Sequence, residues 1–320
     1  MTQIKDNYRK YFNEYIDIFE PLFKSAYEKS KINLILSLLA WRGSSDDGWE
    51  PYENTVEVAL EMRKQQKKLK RDLGMNMSLW VYVHLIESSE QYELIANLIK
   101  TTKAEDYNIA NQRNKNFVNL TVEQKIDRLA KIASKTKFEN VVEPFRLSFD
   151  SRFRNAIAHA DYSLKKTGRK GITIIDDAGF PKIFEQQETN DIINRALALH
   201  TSINVMYRTY IGHFDEPQKI MSSKSLGGGI EKEVDLIIRK KHGVIGISWI
   251  GGYDETGDGQ KVPFTSRIAK PMPYELKLIE KGIFFLPPSR PERANKFLDK
   301  LPARISRKLV PLFKRYYIER

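Results

Sequence analysis

A chain of 320 residues, 41% hydrophobic and 29% charged, is long enough to bury one large core or two ordinary ones, which excludes a disordered chain. Its formal net charge of +12 favours an anionic partner, either nucleic acid or an acidic membrane surface. The absence of cysteine excludes disulfides, thiolate metal sites and cysteine nucleophiles, and fits a reducing compartment.

The first ten residues are polar and carry no apolar signal core. Residues 3–28 read as a long amphipathic helix, with Tyr8, Phe12, Tyr15, Phe19, Leu22, Phe23 and Ala26 recurring at three- and four-residue steps. Residues 32–41 form the longest apolar stretch and read as a buried helix. The stretch is broken by Asn33 and Ser37 and is about half the length of a membrane span. The expectation is therefore a cytoplasmic protein with no membrane partner. Residues 43–51 read as a loop. Residues 55–72 read as a helix with a basic end, from Arg63 to Arg71, which the helix dipole favours in part. Residues 77–100 read as one or two helices, and the Asn-rich residues 101–119 as a loop or a frayed helix. Thr121 and Gln124 match a capping box, followed by Ile126, Leu129, Ala130 and Ala133 at helical spacing. Residues 139–149 read as helical around Pro144, and Asp150 or Ser151 can cap the helix that follows.

That next helix carries Arg154, Asn155 and His159, in the order R-N-x-x-x-H, with Asp161 and Tyr162 close behind. A guanidinium is a permanent cation that forks onto phosphate oxygens, and an imidazole moves protons near neutral pH. A phosphodiester needs both. Asn155 and His159 are four apart and share a helix face, and Tyr162 would extend that face on a continuing helix. Arg154 and His159 are about 140° apart on an ideal helix. Arg154 must therefore curl along the helix, sit at its first turn, or act on a phosphate together with the His159 of another copy.

The Arg154-Asn155-…-His159 pattern, with Phe153 before it and Ala160-Asp161-Tyr162 after it, resembles the signature of the HEPN superfamily. The resemblance extends over roughly residues 3–213, and its specific part is residues 150–162. It implies an all-α bundle that dimerises and acts as a metal-independent endoribonuclease, often a toxin or an abortive-infection effector in antiviral defence. Two motifs would then face each other across a cleft. In that reading His159 is the general acid/base and Arg154 binds the phosphate. Asn155 orients His159 or a phosphate oxygen, and Tyr162 stacks on a base or orients the substrate. Lys165, Lys166, Arg169 and Lys170, in the basic turn after the motif, are candidate substrate contacts.

Residues 172–184 read as a short hairpin turning near Gly179, and residues 190–211 as a long helix with His200 on its apolar side, expected as a satisfied core histidine. His84 is likewise expected to be structural, and His213 and His242 to lie in loops or turns without metal partners. Asp176-Asp177 reads as turn chemistry. Residues 213–229, with Gly227-Gly228-Gly229, read as a linker or long loop that matches neither a dinucleotide fingerprint nor a P-loop. Residues 234–238 and 244–250 read as a hairpin, and 283–286 as a third strand ended by Pro287-Pro288. Residues 304–320 form a basic, aromatic terminus suited either to RNA backbone contact or to a docked helix.

The fold expected is mainly α: a HEPN-like bundle with a β-hairpin insertion, residues 1–213, then a smaller α+β domain, residues 214–320. The expected partners are RNA, a second copy of the chain, and an antitoxin or trigger. No cofactor or metal is expected. Two other readings remain open: a non-catalytic dimerisation or nucleic-acid-binding module, and a metabolic enzyme whose site lies in the C-terminal domain.

Overall fold

The computed structural model describes residues 2–42, 58–59, 61–62, 65, 68–69, 71–105, 117, 119–164, 171–175, 179–214, 219–222, 231, 233–239 and 243–249. The chain divides into two compact units, Met1–Asn204 and Val205–Arg320, and the division falls inside its last described long helix. The described residues are mainly helical, with small antiparallel sheets. No helix among them is long and apolar enough to cross a membrane.

In the first unit the helices are α1 (Thr2–Lys29), α2 (Lys31–Arg42), α3 (Arg71–Glu87), α4 (Ser89–Thr102) and α5 (Val122–Ala133), of which α1 and α5 follow the apolar periodicity of the sequence. The expected stripe of α1, Tyr8 to Ala26, is buried. Helix α4 packs against α1, α2 and α5. The Thr121 capping box forms: its hydroxyl accepts from the Gln124 amide, and the Gln124 side chain accepts from the Thr121 amide. A 3-10 turn (Glu139–Val142) leads into the short α6 (Glu143–Leu147), with Pro144 in its first turn, where a missing N–H costs nothing.

Two expectations change here. Val58, Ala59, Glu61, Met62 and Gln65 are helical, but the helix does not run to 72. The Lys68 amide donates to the Gln65 carbonyl at 2.9 Å, a tight three-residue closure, and a new helix, α3, starts at Arg71. The hairpin after the motif has a third strand. β1 (Tyr162–Ser163), β2 (Gly171–Ile175) and β3 (Pro181–Glu185) form one antiparallel sheet in which Tyr162 faces Ile174 and Ile172 faces Phe184. Gly171 is needed at its position: a Cβ there would lie 2.3 Å from the Phe184 carbonyl oxygen.

The motif helix α7 (Ser151–Ala158) packs beneath α3 and β2. Its Phe153, Ala156 and Ile157 join Leu79, Tyr82, Val83 and Ile86 of α3, Ile172, Ile174 and Phe184 of the sheet, and Ile193 and Ala196 of α8 (Gln186–Ile211) in one buried cluster. The Phe153 ring lies 5.3 Å from Tyr82 and 5.0 Å from Phe184.

In the second unit, a 3-10 turn (Gly212–Phe214) holds His213, expected in a loop or turn. The expected linker contains a strand, β4 (Lys219–Met221), because buried Ile220 pairs with buried Val234 of β5 (Glu233–Arg239). The expected hairpin forms between β5 and β6 (Gly243–Trp249), with an irregularity at Ile237/Ile238. The expected loop at 43–51, most of the 101–119 segment, Asp176-Asp177, Gly227 to Gly229, His242, the strand at 283–286 and the basic terminus at 304–320 lie outside the described residues.

Candidate functional site

Helix α7 is eight residues long and fixed at both ends. At its start the Asp150 carboxylate accepts from the Phe153 amide at 2.9 Å. At its end His159 is the cap. Beyond it, the Ala160 amide donates to Ile157 at 3.3 Å and the Asp161 amide donates to Ala156 at 2.8 Å. This pair of bonds is a Schellman closure, with Ala160 in the left-handed region at φ 61°. The chain therefore turns away directly after His159. Tyr162 does not extend the helix face; it sits on β1, half-buried, and its hydroxyl donates to Asn76 of α3 at 2.9 Å.

With Phe153, Ala156 and Ile157 buried, the opposite arc of the helix is left for Arg154, Asn155 and His159. Asn155 and His159 are exposed, and the His159 amide donates to the Asn155 carbonyl at 2.9 Å, so the two occupy successive turns. The His159 imidazole makes no hydrogen bond or ion pair with a described residue. Arg154 lies at the flank of this arc, 27% exposed, and is anchored. Its Nε and Nη2 both meet Oε1 of Glu87, the last residue of α3, and its Nη1 donates to Asn155 Oδ1 at 2.9 Å. Asn155, expected to orient His159 or a phosphate oxygen, accepts from Arg154 with its amide oxygen.

Glu87 is shared. Lys125 of α5 brings its Nζ to 3.6 Å from Glu87 Oε2 and donates to the Glu87 backbone carbonyl at 2.7 Å. The Lys125 side chain is 2% exposed, beside the Tyr92 ring. Burial pulls its pKa down, and the carboxylates of Glu87 and Glu90 pull it back. Nearby Glu93 is pushed up to about 7, first by burial and then by the charge of Glu90. Spacing could not have found Glu87 or Lys125: Glu87 is 67 residues from Arg154 in the chain.

Away from the motif, His200 is buried at 7% exposure, its ring 5.9 Å from Trp41. It was expected to be a satisfied core histidine, yet neither ring nitrogen finds a hydrogen-bond partner among the described residues. Burial, and then the charge of His84, hold its pKa down to about 4. Lys165, Lys166, Arg169 and Lys170 lie outside the described residues. Among the described residues no cluster of three or more His, Asp and Glu side chains is placed to hold a metal.

The arrangement offers an exposed imidazole with no hydrogen-bond or ion-pair partner among the described residues, and an anchored guanidinium at the flank of the same helix arc. A guanidinium has five N–H donors. Glu87 takes one on Nε and one on Nη2, and Asn155 takes one on Nη1, so one on each terminal nitrogen remains for an anion. No protein-family model, no curated protein and no solved structure matches the chain.

Proposed function

We propose that the chain is a HEPN-type endoribonuclease that cleaves RNA by attack of the 2′-hydroxyl, without a metal. We further propose that it works as a homodimer in the cytoplasm, as a toxin or antiviral defence effector. The observation that carries this reading is the exposed imidazole of His159, without a partner among the described residues, one turn beyond Asn155 and the anchored Arg154.

The chemistry follows from those groups. A base takes the 2′-hydroxyl proton, the 2′-oxygen bonds to phosphorus, and the bond from phosphorus to the 5′-oxygen breaks as that oxygen gains a proton. The products are a 2′,3′-cyclic phosphate and a 5′-hydroxyl. Arg154 donates its two remaining N–H groups to the phosphate oxygens as negative charge builds on them. His159 makes one proton transfer. A second copy's His159, brought across a two-fold axis, makes the other.

The test is cleavage of end-labelled RNA in excess chelator by the wild type and by His159→Ala, with the fold checked by circular dichroism. Loss of a general acid/base costs about 10²–10⁴ in rate. Cleavage by the folded variant at a tenth of wild type or better removes His159 from the chemistry.

A second reading, a non-catalytic dimerisation or nucleic-acid-binding module, is favoured by one observation: Arg154 is already engaged within the chain, by Glu87 and Asn155. In that case wild type and His159→Ala bind RNA alike and neither cleaves it.

A further inference from the structure

We infer that Glu87 is a positioning residue for Arg154: its carboxylate holds one edge of the guanidinium so that the remaining donors face an incoming phosphate. The inference rests on the ribonuclease reading above and adds a residue the motif does not contain.

Three observations carry it. The first is geometry. One oxygen of Glu87 takes both Nε and Nη2 of Arg154, which fixes the plane of the guanidinium, while Asn155 steadies Nη1 from the other side. A long, flexible side chain is thereby ordered before any ligand arrives, and that ordering no longer has to be supplied on binding.

The second is charge. A carboxylate paired with Arg154 alone would cancel it. Here the carboxylate is divided between Arg154 and Lys125, so the three groups together keep one positive charge. Lys125, at 2% exposure, is sheltered from solvent, which leaves the partly exposed guanidinium as the member an anion can reach.

The third is placement. Glu87 ends α3 and Lys125 lies in α5, so the orientation of Arg154 is referred to two further helices of the bundle as well as to its own short helix. A residue acting from outside the motif at such a junction aims the catalytic cation without touching the substrate.

A structural role for Glu87 is separable. Glu87→Gln alone takes from buried Lys125 the carboxylate it is paired with, so it perturbs the fold and also adds net positive charge. The informative variant is Glu87→Gln/Lys125→Met. It removes one negative and one positive charge, leaves the net charge unchanged and replaces the buried ammonium by an apolar chain of similar length. Any change in its behaviour toward anions then reflects the aim of Arg154, not the field.

The experiment uses the full chain. Unfolding midpoints establish that the double variant is folded. Cleavage of labelled RNA gives kcat and KM, and the Arg154 Nε–H resonance, identified by its loss in Arg154→Lys, is followed during titration with inorganic phosphate. The expected result is a kcat lowered at least tenfold with KM within about threefold, since binding by charge survives and transition-state contact does not. The Nε–H signal should be exchange-broadened and respond to phosphate at least fivefold more weakly than in the wild type. A folded double variant with wild-type kcat and an unchanged phosphate response overturns the inference and leaves Glu87 a fold residue. A kcat that rises also overturns it, because Glu87 would then be competing with the substrate for Arg154. If the wild type cleaves no RNA, the ribonuclease reading fails, and the phosphate titration still decides whether Glu87 aims Arg154 at an anion.

Discussion

Acidification should weaken this fold through His200, and the size of the effect follows from its surroundings. Its imidazole is buried beside Trp41, and neither nitrogen is hydrogen-bonded to a described residue. Burial, with the charge of His84 adding to it, lowers its pKa from 6.5 to about 4. A group whose folded pKa lies below its unfolded pKa gives the folded state stability above 6.5 and takes it away as pH falls from 6.5 to about 4. Each pH unit in that interval is worth about 1.4 kcal/mol, so roughly 3 kcal/mol is lost by pH 4 and about 2 kcal/mol by pH 5. His84 is lowered by burial too, opposed by Glu90, and adds loss of the same sign. Buried carboxylates complicate the absolute curve: Glu93, raised to about 7, gains stability over part of the interval in which His200 loses it. The clean measurement is therefore a difference. Urea unfolding of the wild type and of His200→Leu, followed by tryptophan fluorescence at pH 7.5 and pH 5, should show the wild type losing about 2 kcal/mol more than the variant. At pH 7.5 the variant should be about as stable as the wild type, because leucine removes two unpaired buried nitrogens. Equal losses in both proteins would refute the reasoning.

Two further outcomes can be checked alongside. Ala160 adopts φ 61°, so Ala160→Gly should raise stability by up to about 1 kcal/mol in thermal or urea unfolding and leave cleavage within twofold. If activity needs paired motifs, mixing wild type with excess Arg154→Ala/His159→Ala chains under subunit exchange should lower activity per wild-type chain. Constant activity while mixed dimers form would mean that each chain works alone.

What the sequence could and could not disclose follows from the range of each signal. The starts of α5 and α7 were readable because Thr121 and Asp150 act on amides three residues away. The end of α7 was not. A Schellman closure is usually announced by glycine, and here Ala160 occupies the left-handed position, so the residue spacing alone carries the helix on to Tyr162. Strands β1 and β4 span two and three residues, too short for any alternation to register; they exist because Tyr162 and Ile220 find partners across a sheet. The burial of His200 was legible from helical spacing, but its missing partners were not, since they depend on what α2 and α3 bring near it. Glu87 could not be named in advance for the same reason: nothing local distinguishes it from Glu90 or Glu93, and only the packing of α3 on α7 selects it.

The structure gives the two ends of the motif opposite treatment, and the proposed chemistry accounts for why that is useful. A guanidinium never changes protonation, so its contribution depends on direction, and Arg154 is held by two side chains and, through Glu87, by a third helix. An imidazole contributes by exchanging a proton with substrate and water, and His159 sits exposed at a helix cap with its nitrogens unengaged by any described residue. A purely structural pair would be expected to bind both side chains into the bundle. Helix α7 instead buries Phe153, Ala156 and Ile157 and presents the histidine outward. One imidazole per chain, facing away from its own core, cannot serve as base and acid at the same moment. The proposed chemistry would therefore be completed by a second exposed motif on a second chain, and the mixing experiment reports on that requirement.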